Sequence, residues 1–566
     1  MLSTRRFVIA LLATLTLVAC SSGPEVVAEV EEPTPPPPAP VQVSLLAFND
    51  FHGHIEGPSG TVTVDGEKVN AGGAAYLAAH IAAFKAENRN TVVVAAGDLV
   101  GASPLASALF NDEPTIEALG MAGLEIAAVG NHEFDHGVDE LLRLQNGGCH
   151  PTRGCTEGRS FAGASFRYLA ANVTYKESGQ TMFPAVEIRE FDGVKIAFIG
   201  LTLEKTPDIV VPTGITTVDF ANEITTINAL VPGLRAQGIE AIVVLIHEGG
   251  FPTVGADDIN GCPDISGPIV AIAKGVDDAV DVIVSGHTHQ PYICEIGGKL
   301  VTSSQSYGRL LTHIALVLDP TTGDVVKRSA KQQVIHHDIT ENARLAEHVA
   351  TYVELSAPLA SRPVAKIKAD LLRQNNEAGE SVLGRIIADA QLAATAPADR
   401  GRAVIAFMNP GGIREALLFA PPNAEKGIVT YSQMYTVQPF GNNLITMTLT
   451  GAQIHRLLEQ QWQEQDRVRI LQVSKGFTYN WNPDKEAGER VDPKSIKLAG
   501  KVLDPAKDYR VTVNNFLANG GDAFTVLTEG TNLLGGPLDL DVLVTYFQKN
   551  SPVKAPAEAR VKISKK

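Results

Sequence analysis

Six short apolar runs constrain the fold of this chain more than any other feature: 41–48 (VQVSLLAF), 91–97 (TVVVAAG), 126–130 (IAAVG), 194–201 (VKIAFIGL), 241–247 (AIVVLIH) and 281–286 (DVIVSG). They are short, β-branched and continuous, without the apolar–polar alternation of a half-exposed sheet. That pattern predicts strands buried on both faces. Helix-like segments such as 74–87 (AAYLAAHIAAFKAE) and 114–123 (PTIEALGMAG) lie between several of them. Strands alternating with helices in this way build a layered α/β domain.

Residues 340–360 read as one amphipathic helix ending near Pro363, and this is the expected linker to a second α/β block. In that block helices are expected at 381–394, 452–461 and 541–549, and strands at 403–409, 443–451 and 508–518. A chain of 566 residues suits two or three domains. With 44% apolar and 19% charged residues it is neither disordered nor fibrous. No repeat of 20–50 residues is present, which argues against a solenoid or propeller. The formal charge is −16 and no basic block is visible, so binding to a nucleic-acid polymer by counterion release is not expected.

The N-terminus reads as an address. Arg5 and Arg6 precede an apolar run, Phe7 to Val18, which is too short to span a bilayer comfortably. Leu17-Val18-Ala19-Cys20 follows and resembles a bacterial lipobox. The resemblance implies a signal peptide over 1–19 and an acylated Cys20 that anchors the protein to a membrane. By resemblance to lipoprotein sorting, Ser21 rather than Asp after the cysteine implies the outer membrane, facing the periplasm or the cell surface. Residues 23–40 are rich in Pro, Glu and Val and read as an extended spacer. Cys149, Cys155, Cys262 and Cys294 remain. Four cysteines in an oxidising compartment suggest two disulfides, with three possible pairings. Cys149–Cys155, closing a small loop, and Cys262–Cys294 are favoured. A zinc site made of all four thiolates is the alternative, although paired C-x-x-C spacing is missing.

Five of the six runs end on residues suited to metal chemistry. After 41–48 come Asn49, Asp50, Phe51, His52, Gly53 and His54; after 91–97 comes Asp98. After 126–130 come Asn131, His132 and Glu133, with Asp135 nearby; 241–247 ends on His247 and is followed by Glu248, and 281–286 leads into His287, Thr288 and His289. In open α/β sheets ligands bind at the carboxyl ends of the strands. Alternation along an extended segment is expected to put Asp50 beside His52, and His287 beside His289. Carboxylate, amide and imidazole together suit divalent Mn, Zn, Co or Fe rather than calcium. There are too many donors for one tetrahedral ion, and the set fits two ions bridged by one carboxylate.

In this order, Asp50-Phe51-His52, Gly97-Asp98, Gly130-Asn131-His132-Glu133, His247 and Gly286-His287-Thr288-His289 resemble the signatures of the calcineurin-like metallophosphoesterases. Asn409-Pro410-Gly411-Gly412-Ile413-Arg414, Pro439-Phe440-Gly441-Asn442 and Asn515-Phe516 through Asp522 are similar to segments of the 5′-nucleotidase and UDP-sugar hydrolase family. The resemblance implies an N-terminal four-layer α/β domain with two packed sheets and a C-terminal α/β nucleotide-binding domain, joined by the linker helix. The expected boundaries are a leader over 1–19, the lipidated cysteine and spacer over 20–40, the metal domain over 41–338, the linker over 339–363 and the substrate domain over 364–566.

The resemblance also assigns roles. Asp50, His52, Asp98 and His289 would hold one divalent ion, and Asp98, Asn131, His247 and His287 the other. A water acidified between the two would attack phosphorus in line. His132, oriented by Asp135, would stabilise the transition state and the leaving group. Phe440 and Phe516 would sandwich a base, Asp522 would accept from ribose hydroxyls, and Arg414, Asn409, Gly412 and Asn442 would contact phosphate or base. The segment 369–385 departs from the family pattern, and Arg373 and Arg385 are both candidates for a further phosphate contact. The expected activity is hydrolysis of nucleoside 5′-monophosphates outside the cytoplasm by a monomer. The alternatives are a 2′,3′-cyclic-nucleotide phosphodiesterase/3′-nucleotidase, a nucleotide-sugar hydrolase, an enzyme acting on sulfur-linked groups, or a non-catalytic nucleotide-binding surface lipoprotein.

Overall fold

The computed structural model describes residues 38–64, 66–253, 258–421, 425–463, 465 and 467–564. The expected leader, Cys20 and most of the proline-rich spacer lie outside the described residues.

The apolar runs form the middle of two stacked six-stranded sheets. The first has the order Val325–Val334, Leu310–Leu318, Val41–Phe48, Thr91–Ala96, Ile126–Ala128 and Arg167–Leu169. The second has the order Pro291–Ile296, Lys299–Ser304, Val282–Ser285, Ala241–His247, Val194–Thr202 and Val186–Phe191. The strands that carry the predicted ligands pair in parallel, which brings their carboxyl ends to the same edge.

Successive side chains of a strand point to opposite faces. Along the first strand, Val43, Leu45 and Ala47 pack between the sheets against Phe198, Val243 and Val284. Leu46 and Phe48 pack outward with Leu77 and Ile81 of the helix Ala74–Glu87 and with Leu119 of the helix Glu113–Ala122. The outer face of the second sheet is covered in the same way, with Ile199, Val244 and Ile283 against Ile227, Val231, Ile269 and Ile272. The central strands of both sheets are therefore buried on both faces, which is why they need no polar alternation, while the edge strands Val325–Val334 and Val186–Phe191 stay partly exposed. The result is the expected helix–sheet–sheet–helix sandwich.

The linker helix spans Ala343–Ala360 and is capped by the Asn342 side chain, which accepts from the Leu345 amide. Leu345 is buried in the first domain's core, and Ala346, Val349 and Val353 pack against it. The second domain is built on a mixed five-stranded sheet, ordered Gln472–Val473, Ile405–Met408, Asp508–Asn514, Asn443–Thr450 and Thr531–Leu538. The segment expected as one strand over 508–518 is divided. Asn514 stops the strand, and its side chain accepts from the Leu517 amide to open the short helix Asn515–Ala518. Asparagine is a preferred helix N-cap, and this competes with strand continuation.

Cys149 pairs with Cys155 and Cys262 with Cys294. With all four thiolates consumed, the zinc alternative falls. Among the described residues, no helix is long and apolar enough to cross a membrane.

Candidate metal centre and substrate cleft

The loops leaving the parallel strands are joined to one another by backbone hydrogen bonds. The Asp50 amide donates to the Gly97 carbonyl and the His52 amide to the Asp98 carbonyl, both at 3.0 Å. The ligand pairs do not converge by extended alternation. Asp50, His52, Asp98, His287 and His289 have φ of 50°, 49°, 50°, 67° and 56°. Left-handed backbone is uncommon outside glycine and clusters where function over-determines the conformation. Each turn doubles the chain back, so both side chains of a pair face inward. Gly97 (φ 78°) permits this crowding, because a Cβ there would lie 2.7 Å from the Gly130 nitrogen and from His247 Nδ1.

Buried and half-buried donors gather in overlapping groups: Asp50, His52 and His289; His52, Asp98 and His132; and Asp98, His247 and His287. His289 Nε2 lies 3.1 Å from Asp50 Oδ1 and 3.1 Å from His52 Nε2. His247 Nε2 lies 2.9 Å from Asp98 Oδ2, yet makes no hydrogen bond. Asp50 Oδ1 and Asn131 Oδ1 are also buried without a hydrogen-bond partner. Unpaired buried polar atoms are costly, by roughly 1–3 kcal/mol each. Lone pairs that converge on shared points instead of on each other are the arrangement a cation requires. The residues present thus fit divalent metal.

The surrounding contacts point the donors. His52 Nδ1 donates to the Gly101 carbonyl at 2.8 Å and His247 Nδ1 to the Ala96 carbonyl at 2.7 Å, which leaves each Nε2 as the donor to metal. Burial holds His52, His287 and His289 below the usual histidine range, in the neutral form that ligates. Burial also opposes charge on His247, but Asp98 and Asp50 outweigh it and push the group up to about 10. That negative field equally favours a dication. Asn49 donates to Asp50 Oδ2 at 2.6 Å and accepts from the Ser304 amide at 2.7 Å.

Glu133, present in the GNHE signature but given no role from sequence, accepts from the amides of Asp98, Leu99 and Gly130 at 3.0, 2.7 and 2.7 Å. It ties the Asp98 loop to the Asn131 loop. Burial first, and then Asp98, raise its carboxyl to about 7. The signal for it was its place in the signature; its partners are backbone amides from a second loop, which leave no mark in sequence.

His132 Nδ1 is 2.7 Å from Asp135 Oδ2. Burial disfavours the imidazolium, yet Asp135 and Asp98 more than compensate and raise the His132 pKa. The Phe440 ring, from the second domain, lies nearly parallel to the His132 ring at 5.7 Å, and the Arg414 guanidinium sits 5.7 Å from the Phe440 ring centre. Between the domains runs a cleft lined by Asn131, His132, His287, Asn409, Gly412, Arg414, Phe440, Asn442, Phe516 and Asp522. Asn409 Nδ2 donates to Asp522 Oδ2 at 2.8 Å, which joins two of the expected substrate residues before any substrate arrives.

Two expected phosphate contacts do not reach this cleft. Arg373 is exposed and donates to the Ile413 carbonyl at 3.3 Å. Arg385 lies within the helix Val382–Thr395, buried, and donates to the Glu558 carbonyl at 2.5 Å. Arg467 and Arg469, not anticipated, line the cleft instead. Arg469 Nε approaches Asp522 Oδ1 to 3.4 Å. The alternation Arg467-Val468-Arg469 in an otherwise acidic chain was the available signal.

Residues 43–291 match the calcineurin-like phosphoesterase family, and residues 363–529 match the C-terminal domain of 5′-nucleotidases. "Endonuclease YhcR" of Bacillus subtilis (strain 168) is 34% identical over 539 residues, covering 93% of this chain, while the chain spans 41% of that relative's length. "Cell wall protein Lmo0130" of Listeria monocytogenes is 31% identical over 536 residues, covering 90% of this chain and 67% of the relative. The crystal structure of a 5′-nucleotidase precursor from Thermus thermophilus superposes with a TM-score of 0.75 at 27% identity, covering 92% of this chain and 99% of that one. With a buried set of metal donors facing a two-domain cleft, the chain belongs to the calcineurin-like metallophosphoesterases that carry a 5′-nucleotidase C-terminal domain, and it is a phosphoester hydrolase with a site for divalent metal.

Proposed function

We propose that this protein hydrolyses nucleoside 5′-monophosphates to nucleoside and phosphate with two divalent ions. The observation that carries the reading is the pair of donor groups, Asp50–His52–His289 and Asp98–His247–His287, opening onto a cleft that also holds Phe440, Phe516 and Asp522. Asp50, His52, Asp98 and His289 would hold one ion, and Asp98, Asn131, His247 and His287 the other, with Asp98 shared. When bound, the ions polarise the phosphoryl oxygens and acidify the attacking water.

The chain's own residues do the rest. Arg414, with Arg467 and Arg469, offers positive charge to phosphate oxygens from the second domain. His132, whose imidazolium form Asp135 and Asp98 favour against burial, donates to the phosphoryl group as charge builds and to the leaving 5′-oxygen. Phe440 and Phe516 stack on the base without reading its edge, so base preference is expected to be broad. Asp522, held by Asn409, accepts from ribose hydroxyls.

A nucleotide-sugar hydrolase is the second reading. A further cavity adjoins the cleft at Ile209, His287, Arg469 and Asp522, and Glu204, Asp208 and Glu223 contribute to its walls. It offers hydroxyl acceptors for a group beyond the phosphate. The two disulfides accord with an oxidising compartment. We also infer export and lipid anchoring through Cys20; a Cys20→Ser variant that stayed in the membrane fraction would contradict this.

The deciding experiment takes purified protein, quantifies metal, and measures hydrolysis with added Mn, Co or Zn, read as phosphate released from AMP, nucleoside monophosphate formed from 2′,3′-cyclic AMP or UDP-glucose, and shortened strands from single-stranded DNA. AMP is expected to be the best substrate. Cleavage of DNA with no action on AMP would replace this reading by that of the Bacillus subtilis relative.

A further inference from the structure

The metal donors are not all oriented in the same way. His52 and His247 each donate Nδ1 to a main-chain carbonyl, and each side chain is no more than 1% exposed. His287 and His289 are half-buried and show no such bond among the described residues, and of these two His289 belongs to the Asp50–His52 group. Its side chain is 26% exposed, and its polar contacts are His52 and Asp50, both made through Nε2. An imidazole with no hydrogen bond behind it is free to rotate about its side-chain bonds unless something packs against it.

Tyr307 is what packs against it. Its ring meets the His289 ring edge-on, with centroids 5.5 Å apart and an interplanar angle of 79°, and meets His52 in the same manner at 5.8 Å and 69°. His54 stacks on Tyr307 at 3.9 Å and 22°, and the Arg309 guanidinium lies 5.0 Å from its ring centre. The Tyr307 amide donates to the Asp50 carbonyl at 2.7 Å, so the ring is referenced to a second donor residue of the same group. Tyr307 also has φ of 64°, as does Gln305 at 64°, and both join the left-handed positions of Asp50, His52 and His289. For a bulky aromatic residue such a conformation is an outlier that persists only where its surroundings enforce it. Next to it, a Cβ on Gly308 would lie 2.7 Å from the Phe51 ring, so this turn is seated directly on the Asp50–His52 loop.

We propose that Tyr307 is a positioning residue for His289: its ring, braced by His54, keeps that imidazole turned toward Asp50 and His52. The aromatic wall does for His289 what a main-chain carbonyl does for His52 and His247. The contacts with the donors are made by the ring and the backbone, so the hydroxyl is dispensable. This rests on the proposed ligand set, and the test separates the two.

Cobalt binding is measured on the metal-depleted full chain by competition with a chelator, and its visible absorption records coordination. Wild type, Tyr307→Ala, Tyr307→Phe and His54→Ala are compared, with thermal unfolding of each metal-free protein as the control for folding. Loss of a supporting contact around a metal ligand weakens affinity by about 10- to 100-fold. Tyr307→Ala is expected to fall in that range for one equivalent of cobalt with an altered spectrum, His54→Ala to weaken it by less, and Tyr307→Phe to stay within about twofold of wild type. Unchanged affinity and spectrum in Tyr307→Ala overturn the proposal, as does a Phe variant as weak as the Ala variant. If Tyr307→Ala does not fold, wild-type behaviour of His54→Ala overturns it. A wild-type protein that binds no cobalt contradicts the ligand set itself.

Discussion

At the scale of single residues, two neighbours at the candidate metal centre are expected to do different work, and the difference is measurable. Asp98 Oδ2 contacts His247 at 2.9 Å and His52 at 3.7 Å, and Asp98 Oδ1 accepts from the His132 amide at 2.9 Å. Asp98→Asn removes the charge both donor groups share, so metal content should fall with activity, by more than the 10- to 100-fold typical of a supporting residue. His132→Gln should leave metal content near wild type and lower kcat by about 10²–10⁴-fold, the range for a lost general acid. Metal analysis beside kinetics checks both; loss of metal from His132→Gln would make it a ligand. Phe516→Ala should raise KM for nucleotides about five- to 150-fold with little change in kcat, since base stacking is worth about 1–3 kcal/mol. An unchanged KM would remove Phe516 from the clamp. The donors were legible in sequence because each stands directly after a recognisable strand. Tyr307, Arg467 and Arg469 were not, because their partners lie in loops distant along the chain and only folding brings them together.

At the scale of elements, the helices and strands of the sandwich were legible because their burial on both faces leaves a continuous apolar signature. Asp539 shows what such patterns hide. It opens the helix Asp539–Lys549, where a carboxylate usually gains from the helix dipole. Here burial overrides that gain and raises its pKa to about 7, although the Leu540 amide and Asn442 act in the opposite sense. The folded state therefore holds a proton that the unfolded chain releases at its lower carboxylate pKa. Between the two values the folded state binds more protons, so stability is lost as pH rises through that window. About three pH units at 1.36 kcal/mol each gives an upper figure of about 4 kcal/mol. Asp539→Asn should flatten the fall in thermal midpoint between pH 5 and pH 8 and raise the midpoint at pH 8. The same slope in the variant would assign the pH dependence elsewhere, for instance to Asp281, also raised to about 7 by burial.

At the scale of the whole molecule, the candidate metal donors come from one domain and the proposed base clamp from the other. The linker helix belongs mechanically to the first, since Leu345 is buried in its core. Any rotation of the second domain must then hinge past the helix C-terminus, near residues 361–363. Phe440 lies parallel to His132 at 5.7 Å across the cleft, so a nucleotide enters only if the second domain rotates or this side chain swings aside, and rotation is the expected route. On the far side of the cleft the short helix Thr206–Ile209 packs against the turn Gly521–Ala523 of the second domain. Ile209 and Ala523 both line the cavity that adjoins the cleft. A disulfide between Ile209→Cys and Ala523→Cys would pin the domains in this closed relation while leaving every proposed ligand in place. The oxidised double variant should keep its metal and lose nearly all turnover of AMP, and mild reductant should restore it. Wild type under the same reductant supplies the control for its own two disulfides, and each single cysteine variant should be insensitive. Turnover at the wild-type rate in the cross-linked enzyme would mean that substrate reaches the metals without domain motion, and that the Phe440 side chain alone swings aside.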